Sequence, residues 1–351
     1  MIRLKKIDSV LLAVFALTFI AGVAVHFMPE RELYHRPGRV RPAAESVARA
    51  PTREKRSISS LEIDEKRLQE KLKKHPALAR RFALFTIASL LIILASLACA
   101  VRMALRLWKG QPAVVQLGSP PRSAWTLGDI LRLILLILVA GQTILLLEWI
   151  AFKRFNPAWF DENILSLGNT VLMDLVAAAY AFLLLKRASR QAEPAEPGAA
   201  IRLGIASYLI FLPFFFLMTS VAYSILQALG MNPEPQSAVM MFLSETRPPV
   251  VWWLTALATI GGPVAEELFF RGMLYGYLRT RFGIGLGLVL SAVLFAALHA
   301  NLMAFLPVLG LGLLFGWVYE KTGTLAAPIA VHMLHNAGML AVASLMKQLI
   351  S

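Results

Sequence analysis

Gly261-Gly262-Pro263-Val264-Ala265-Glu266-Glu267-Leu268-Phe269-Phe270-Arg271 sets two adjacent carboxylates and a guanidinium inside an apolar run. Charges at membrane depth cost several kcal/mol unless something pairs or uses them. On a helix, neighbouring residues point about 100° apart, so Glu266 and Glu267 face different directions. Glu267 and Arg271 are spaced i,i+4, the separation at which opposite charges meet on one helix face. Pairing them neutralises one carboxylate and leaves Glu266 free. Pro263, following two glycines, predicts a kink or break just before the acids. Taken alone, the three charges read equally well as a structural ion-pair cluster.

The surrounding chain decides where this stretch sits. Of 351 residues, 58% are hydrophobic and the mean hydropathy is +0.64. A soluble domain is about 45–50% apolar, so the composition predicts an all-α, polytopic helical membrane protein. The formal net charge of +14 is gathered largely in segments flanking apolar runs, where Lys and Arg meet headgroups and set topology. No nucleic-acid-binding motif accompanies it, so no nucleic-acid partner is expected. The single cysteine, Cys99, lies in an apolar run and says nothing about compartment.

Nine segments approach the length that crosses about 30 Å of hydrocarbon. They are Val10–Met28, Phe82–Val101, Ile130–Phe152, Ile164–Leu185, Leu203–Gln227, Val250–Phe270, Ile284–Ala300, Leu302–Val318 and Leu325–Met346. The expectation is therefore 8–9 transmembrane helices. The seventh and eighth are short and nearly abut, which predicts a tight helical hairpin. Residues 1–28 read as an N-terminal membrane anchor. The alternative is a cleaved signal peptide, but the apolar run continues past Gly22-Val23-Ala24 to Met28. Residues 29–81 read as a polar, basic linker ending in a juxtamembrane helix, supported by the i,i+4 pairs Glu62/Lys66 and Glu70/Lys74. Residues 82–202 read as variable membrane helices and 203–347 as the membrane core that holds the paired acids.

Basic residues favour an N-terminus on the cytoplasmic side. Arg102, Arg106, Lys109, Arg122, Lys186, Arg187, Arg190, Arg202, Arg271, Arg279 and Arg281 then fall inside. The long 29–81 segment then lies outside despite its own positive charge.

Further polar residues interrupt the later apolar runs. His299 ends Phe295-Ala296-Ala297-Leu298-His299, and His332, His335 and Asn336 lie in His332-Met333-Leu334-His335-Asn336. With a turn near Phe282-Gly283, Glu266 and His299 stand at about the same depth on antiparallel helices, roughly 25 Å from that turn. His332, eight residues past Thr324, lies roughly 12 Å in from the same side. His332 and Asn336 share a helix face, with His335 near it. A glutamate in an apolar cavity makes a general base for water. A neighbouring histidine holds that water or a metal, and a histidine–asparagine pair supplies donors for an oxyanion. Glu266, His299 and His332 also match a three-ligand zinc site with an open position, whereas asparagine is a poor zinc ligand.

These residues closely resemble the CPBP family of intramembrane proteases, the CAAX prenyl protease and bacteriocin-processing family. Its pattern is met by Glu266-Glu267-x-x-x-Arg271, Phe295-x-x-x-His299 and His332-x-x-x-Asn336, in that order. The likeness covers about Leu203–Met346. It implies a helical membrane fold in which Glu266 and His299 hold the nucleophilic water and His332 and Asn336 stabilise the oxyanion. Glu267, Arg271, Phe295 and His335 then take supporting places. It implies a membrane-associated peptide or protein substrate, prenylated at a CAAX terminus or bacteriocin-like. The catalyst is either Zn2+ on Glu266, His299 and His332 or a metal-free, glutamate-activated water. A family member acting without catalysis, as an immunity or scaffold protein, is the alternative.

Other chemistries lack their signatures. There is no His-Glu-x-x-His and no Gly-x-Ser-x-Gly. Asp129, Asp174 and Glu148 lie in or near spans with no evident partner, and no inverted repeat marks a transporter.

Overall fold

A computed structural model describes residues 10–11, 13–17, 65–112, 114–121, 123, 125–155, 162–188, 194–233 and 235–350. Most of the first expected span, the linker up to Asp64 and the side chain of Glu148 lie outside the described residues. The described chain is all-α. Its elements are α1 (Glu65–Lys74), α2 (Pro76–Trp108), α3 (Leu127–Phe155), α4 (Glu162–Ala188), α5 (Pro197–Ala228) and α6 (Ser237–Ser244). Then come α7 (Pro248–Ala256), α8 (Gly262–Glu267), α9 (Gly276–Leu298), α10 (Leu302–Thr322) and α11 (Ala326–Ile350). Two π-helical stretches, Leu257–Gly261 and Leu268–Tyr275, join α7, α8 and α9 into one helical run.

Among the described residues, 7 helical stretches are long and apolar enough to cross a membrane. One of them, Pro248–Leu298, is two helices. Gly283 inside it has φ 82° and ψ 174°, a conformation open to glycine because it has no Cβ. The chain folds back there. Gly287 rests against the backbone of Arg279, where a Cβ would stand 2.9 Å from its nitrogen. Ser291 Oγ donates to Phe270 O at 3.3 Å. The expected turn at Phe282-Gly283 is thus present.

The chain packs as two units, one of Met1–Glu62 with Ile134–Met173 and one of Ile63–Leu133 with Asp174–Ser351. In the first, the facing parts of α3 and α4 approach at Gly141, beside Met173 and Asn169. The second holds all the candidate site residues.

In that second unit, α9 and α10 form the expected hairpin. A Cβ on Gly312 would lie 3.0 Å from Ala292 Cα, and one on Gly316 2.7 Å from Leu288 Cδ2. Without a hydrophobic drive between helices in lipid, small residues let backbones pack this closely. Gly204 does the same for α5 against Val331 of α11. Helix α5 opens on Pro197, with Glu196 accepting from Gly198 N at 2.8 Å and Ala199 N at 2.7 Å. Those backbone N–H groups, Gly198 first, hold the Glu196 carboxyl below the usual carboxylate range.

Loop segments tie one end of this unit. Leu117 N and Ala195 N donate to Lys321 O and Thr322 O at 2.9 and 2.8 Å. Glu320 accepts from Tyr275 Oη at 2.7 Å and from Arg279 Nε at 2.8 Å. At the opposite end, Lys71 Nζ donates to Leu349 O at 3.2 Å and Arg81 Nη1 to Gln348 Oε1 at 2.8 Å.

Replacing Gly312 by valine tests the close approach of α9 and α10. The added side chain meets Ala292 and Phe295, and overpacking of this kind costs about 1–3 kcal/mol. A lower unfolding temperature of the detergent-purified variant is expected; an unchanged one counts against the packing.

Candidate active site

Glu267 and Arg271 are fully buried and paired, Nη1 to Oε1 at 2.9 Å. The guanidinium also donates from Nη2 to Gly312 O at 3.1 Å. It lies over the Phe295 ring at 4.4 Å and the Phe315 ring at 5.2 Å. The Gly312 carbonyl is reachable because no side chain at that position holds α10 away from α9.

The same Glu267 Oε1 accepts from His332 Nδ1 at 2.9 Å. A carboxylate oxygen only accepts, so Nδ1 carries the proton. Phe315 stacks on the His332 ring at 4.8 Å and 28°. The imidazole is fixed in tautomer and in plane, and its Nε2 lies 3.8 Å from Glu266 Oε2. Glu266 is about 33% exposed at its side chain, while its Oε2 is buried without a hydrogen-bond partner. The two groups face each other across 3.8 Å, longer than a direct hydrogen bond.

His299 closes α9. Its Nδ1 meets Phe295 O at 2.8 Å, which as an acceptor leaves Nε2 as the presented atom. The Phe295 ring lies 4.8 Å from His299 and 5.9 Å from His332, centroid to centroid. Phe270 meets Phe295 at 5.0 Å. This register puts Glu266 and His299 level with each other, one turn further along their antiparallel helices.

His332 stands six residues past the start of α11, about 9 Å of helix, stacked on Phe315 of α10. The His299–Asn301 turn joins α9 to α10. Ala300 in it has φ 47°, the positive-φ non-glycine among the described residues, a conformation costing about 1 kcal/mol or more. Asn301 Oδ1 satisfies the next helix start by accepting from Ala304 N at 2.8 Å.

Asn336 lies one turn beyond His332, and its Nδ2 donates to Ala258 O at 2.8 Å. His335 faces elsewhere. Its Nδ1 meets Tyr208 Oη at 3.1 Å, and Phe215 packs edge-on to it at 4.7 Å. It joins α11 to α5. Asp129, in the first turn of α3, accepts from Thr126 N and pairs with Arg132, both at 2.9 Å. Asp174 lies within electrostatic reach of Glu266.

Glu266, Glu267, Arg271, Phe295 and His332 are thus brought together, and the Phe270–Phe295 contact sets His299 level with Glu266. The sequence did not reveal the Glu267–His332 bond, the Phe315 stack or the Ala258 carbonyl. Helix α10 carries no motif residue at Gly312 or Phe315. Its part is to supply a carbonyl and a ring, which no sequence signal announces. Among the described residues, no three His, Cys, Asp or Glu side chains stand close enough together to hold a metal ion. Glu266, His299 and His332 are therefore not gathered as a three-ligand group in this arrangement.

Residues 248–338 match the family described as type II CAAX prenyl endopeptidase Rce1-like. The chain is 25% identical over 182 residues to "Putative membrane peptidase YdiL" of Bacillus subtilis, covering 50% of this chain and 72% of that one. It is 23% identical over 223 residues to "Membrane-embedded CAAX protease MroQ" of Staphylococcus aureus, covering 59% and 85%. No solved structure matches significantly. The fold is that of an all-α, integral, multi-pass membrane protein. Over residues 248–338 and in these two relatives, what the chain is similar to are CAAX-type membrane proteases and peptidases.

Glu267→Gln leaves Arg271 buried beside a neutral side chain. Breaking a buried pair costs about 3–5 kcal/mol, so a marked loss of thermal stability or of folded yield is expected. A variant as stable as the wild type contradicts the pairing.

Proposed function

We propose that the protein is an intramembrane endopeptidase that cleaves a peptide bond of a membrane-associated substrate with water activated by Glu266. The observation that carries this reading is the polarity of His332. Its Nδ1 is held by Glu267 while its Nε2 faces Glu266.

Arg271, Glu267, His332 and Glu266 then form a chain in which charge alternates. Water enters beside Glu266, whose side chain is the partly exposed member. The Glu266 carboxylate takes a proton as the water oxygen attacks the peptide carbonyl carbon, a role for which a positioned carboxylate contributes about 10²–10⁴-fold. When His332 carries a proton on both nitrogens, Nε2–H points to the oxygen on which charge develops. The second N–H of Asn336 does the same. Donors held in place before charge develops are the strongest single contribution in acyl transfer. His299 presents Nε2 at the same level and orients the water. The proton on Glu266 then passes to the leaving amine. Glu267 and Arg271 act on the reaction through His332.

The substrate classes that fit are peptides held at the membrane, prenylated at a CAAX-like terminus or bacteriocin-like.

Purified protein in lipid is given a farnesylated CAAX peptide, its unprenylated twin and unrelated membrane-associated peptides, beside Glu266→Gln. Glutamine keeps the shape and cannot take the proton. Cleavage by the wild type, lowered at least about 10²-fold in the variant, is expected. Equal cleavage by both sinks the role of Glu266. No cleavage by a folded wild type moves the reading to a non-catalytic immunity or scaffold protein.

A further inference from the structure

The π-helical stretch Leu257–Gly261 ends two residues before Pro263, and the two features meet in one carbonyl. In an α-helix, Ala258 O accepts from the N–H of residue 262. Here Gly262 N donates instead to Leu257 O, five residues back. In that wider register, the partner of Ala258 O is the nitrogen of residue 263. Residue 263 is proline and has no N–H. The carbonyl is therefore released by both registers, and it accepts from Asn336 Nδ2 at 2.8 Å.

The glycines make this possible. A Cβ on Gly261 would stand 2.9 Å from Leu257 Cδ1, and one on Gly262 3.3 Å from Leu257 O. Pro263 itself is buried. A carbonyl left unpaired inside a membrane protein costs several kcal/mol, so the bond to Asn336 is strongly held. It also fixes the plane of the Asn336 amide. One N–H is committed to Ala258 O, and the other leaves in the same plane about 120° away. The bulge does a second thing. Its inserted residue turns everything after it about the helix axis, including Glu266 three residues beyond Pro263.

We infer that Pro263 is a positioning residue of this site, which holds Asn336 in orientation by withholding an N–H from Ala258 O. The inference rests on the reading of Asn336 as an oxyanion donor. It gives the Gly-Gly-Pro sequence before the paired glutamates a purpose beyond a kink.

The test compares wild type, Pro263→Ala, Asn336→Ala and the double variant in lipid, with two readouts. One is kcat and KM on a cleaved peptide from the panel above. The other is the side-chain amide signal of Asn336 in protein labelled with 15N-asparagine, assigned by its loss in Asn336→Ala. Alanine at 263 supplies the missing N–H. The expected result is a kcat lowered on the order of tenfold with KM unchanged, as displaced catalytic groups give. In the Asn336→Ala background, Pro263→Ala has no further effect, because the two act as one unit. The Asn336 amide signal shifts and exchanges faster in Pro263→Ala. Multiplying losses in the double variant, or an amide signal unchanged by Pro263→Ala, overturn the inference. If the wild type cleaves nothing, the protease reading fails and the amide signal alone decides this one. If Pro263→Ala does not fold, Asn336→Asp takes its place. It leaves the bulge intact and removes the donor, and wild-type kcat in that variant overturns the proposal.

Discussion

A carboxylate with no exposed surface cannot stay charged in a membrane protein unless its neighbours replace the water it has lost. Glu267 is that carboxylate, and the arrangement around it follows from the need to satisfy it. Arg271 reaches it from one turn along the same helix, and His332 reaches it from α11. Arg271 in turn needs Gly312 O from α10 and lies against rings from α9 and α10. Four stretches of chain are thus held to one acid. The second acid of the pair, Glu266, gains its freedom from this arrangement. It has no cation of its own, stands partly open, and faces a histidine whose far side is already bound.

Between Pro248 and the Gly283 turn the helical run departs from the ordinary α register twice, and both departures lie beside the acids. A wider turn releases carbonyls that an α-helix would consume. One release gives Ala258 O to Asn336. In the second stretch, Met273 O accepts both from Gly276 N and from Trp125 Nε1, the latter at 2.8 Å, and Trp125 packs on Gly276. The polar backbone freed in a membrane helix is therefore paired with side chains from other elements, which fixes those side chains. Irregular backbone at membrane depth is tolerated on these terms.

The α9–α10 hairpin turns at His299–Asn301, with the strained Ala300 in it. Glu266 and His299 come level because Phe270 and Phe295, one turn from each on antiparallel helices, meet at 5.0 Å.

Much of this was legible in the chain. Span lengths gave the all-helical membrane class, since about 20 apolar residues are needed to cross hydrocarbon whatever the fold. The Glu267–Arg271 pair followed from helical spacing, and the common depth of Glu266 and His299 followed from counting residues either side of the Gly283 turn. Local rules of this kind act along one helix or across one hairpin. What they could not give is which helix faces which. His332 was read as a partner for the oxyanion, and only packing shows that its Nδ1 belongs to Glu267 and its Nε2 to the space beside Glu266. Asn336 was read as a donor, and only packing shows one of its N–H groups held by the carbonyl that Pro263 leaves free. His335 shares a short motif with both and yet points to Tyr208. The sequence alone determined the membrane class, the turns and the pairings within a helix, because those depend on apolar length and a fixed rise per residue. The tertiary structure decided the partners of His332, His335 and Asn336, because contacts between helices depend on side chains and carbonyls brought together from distant parts of the chain.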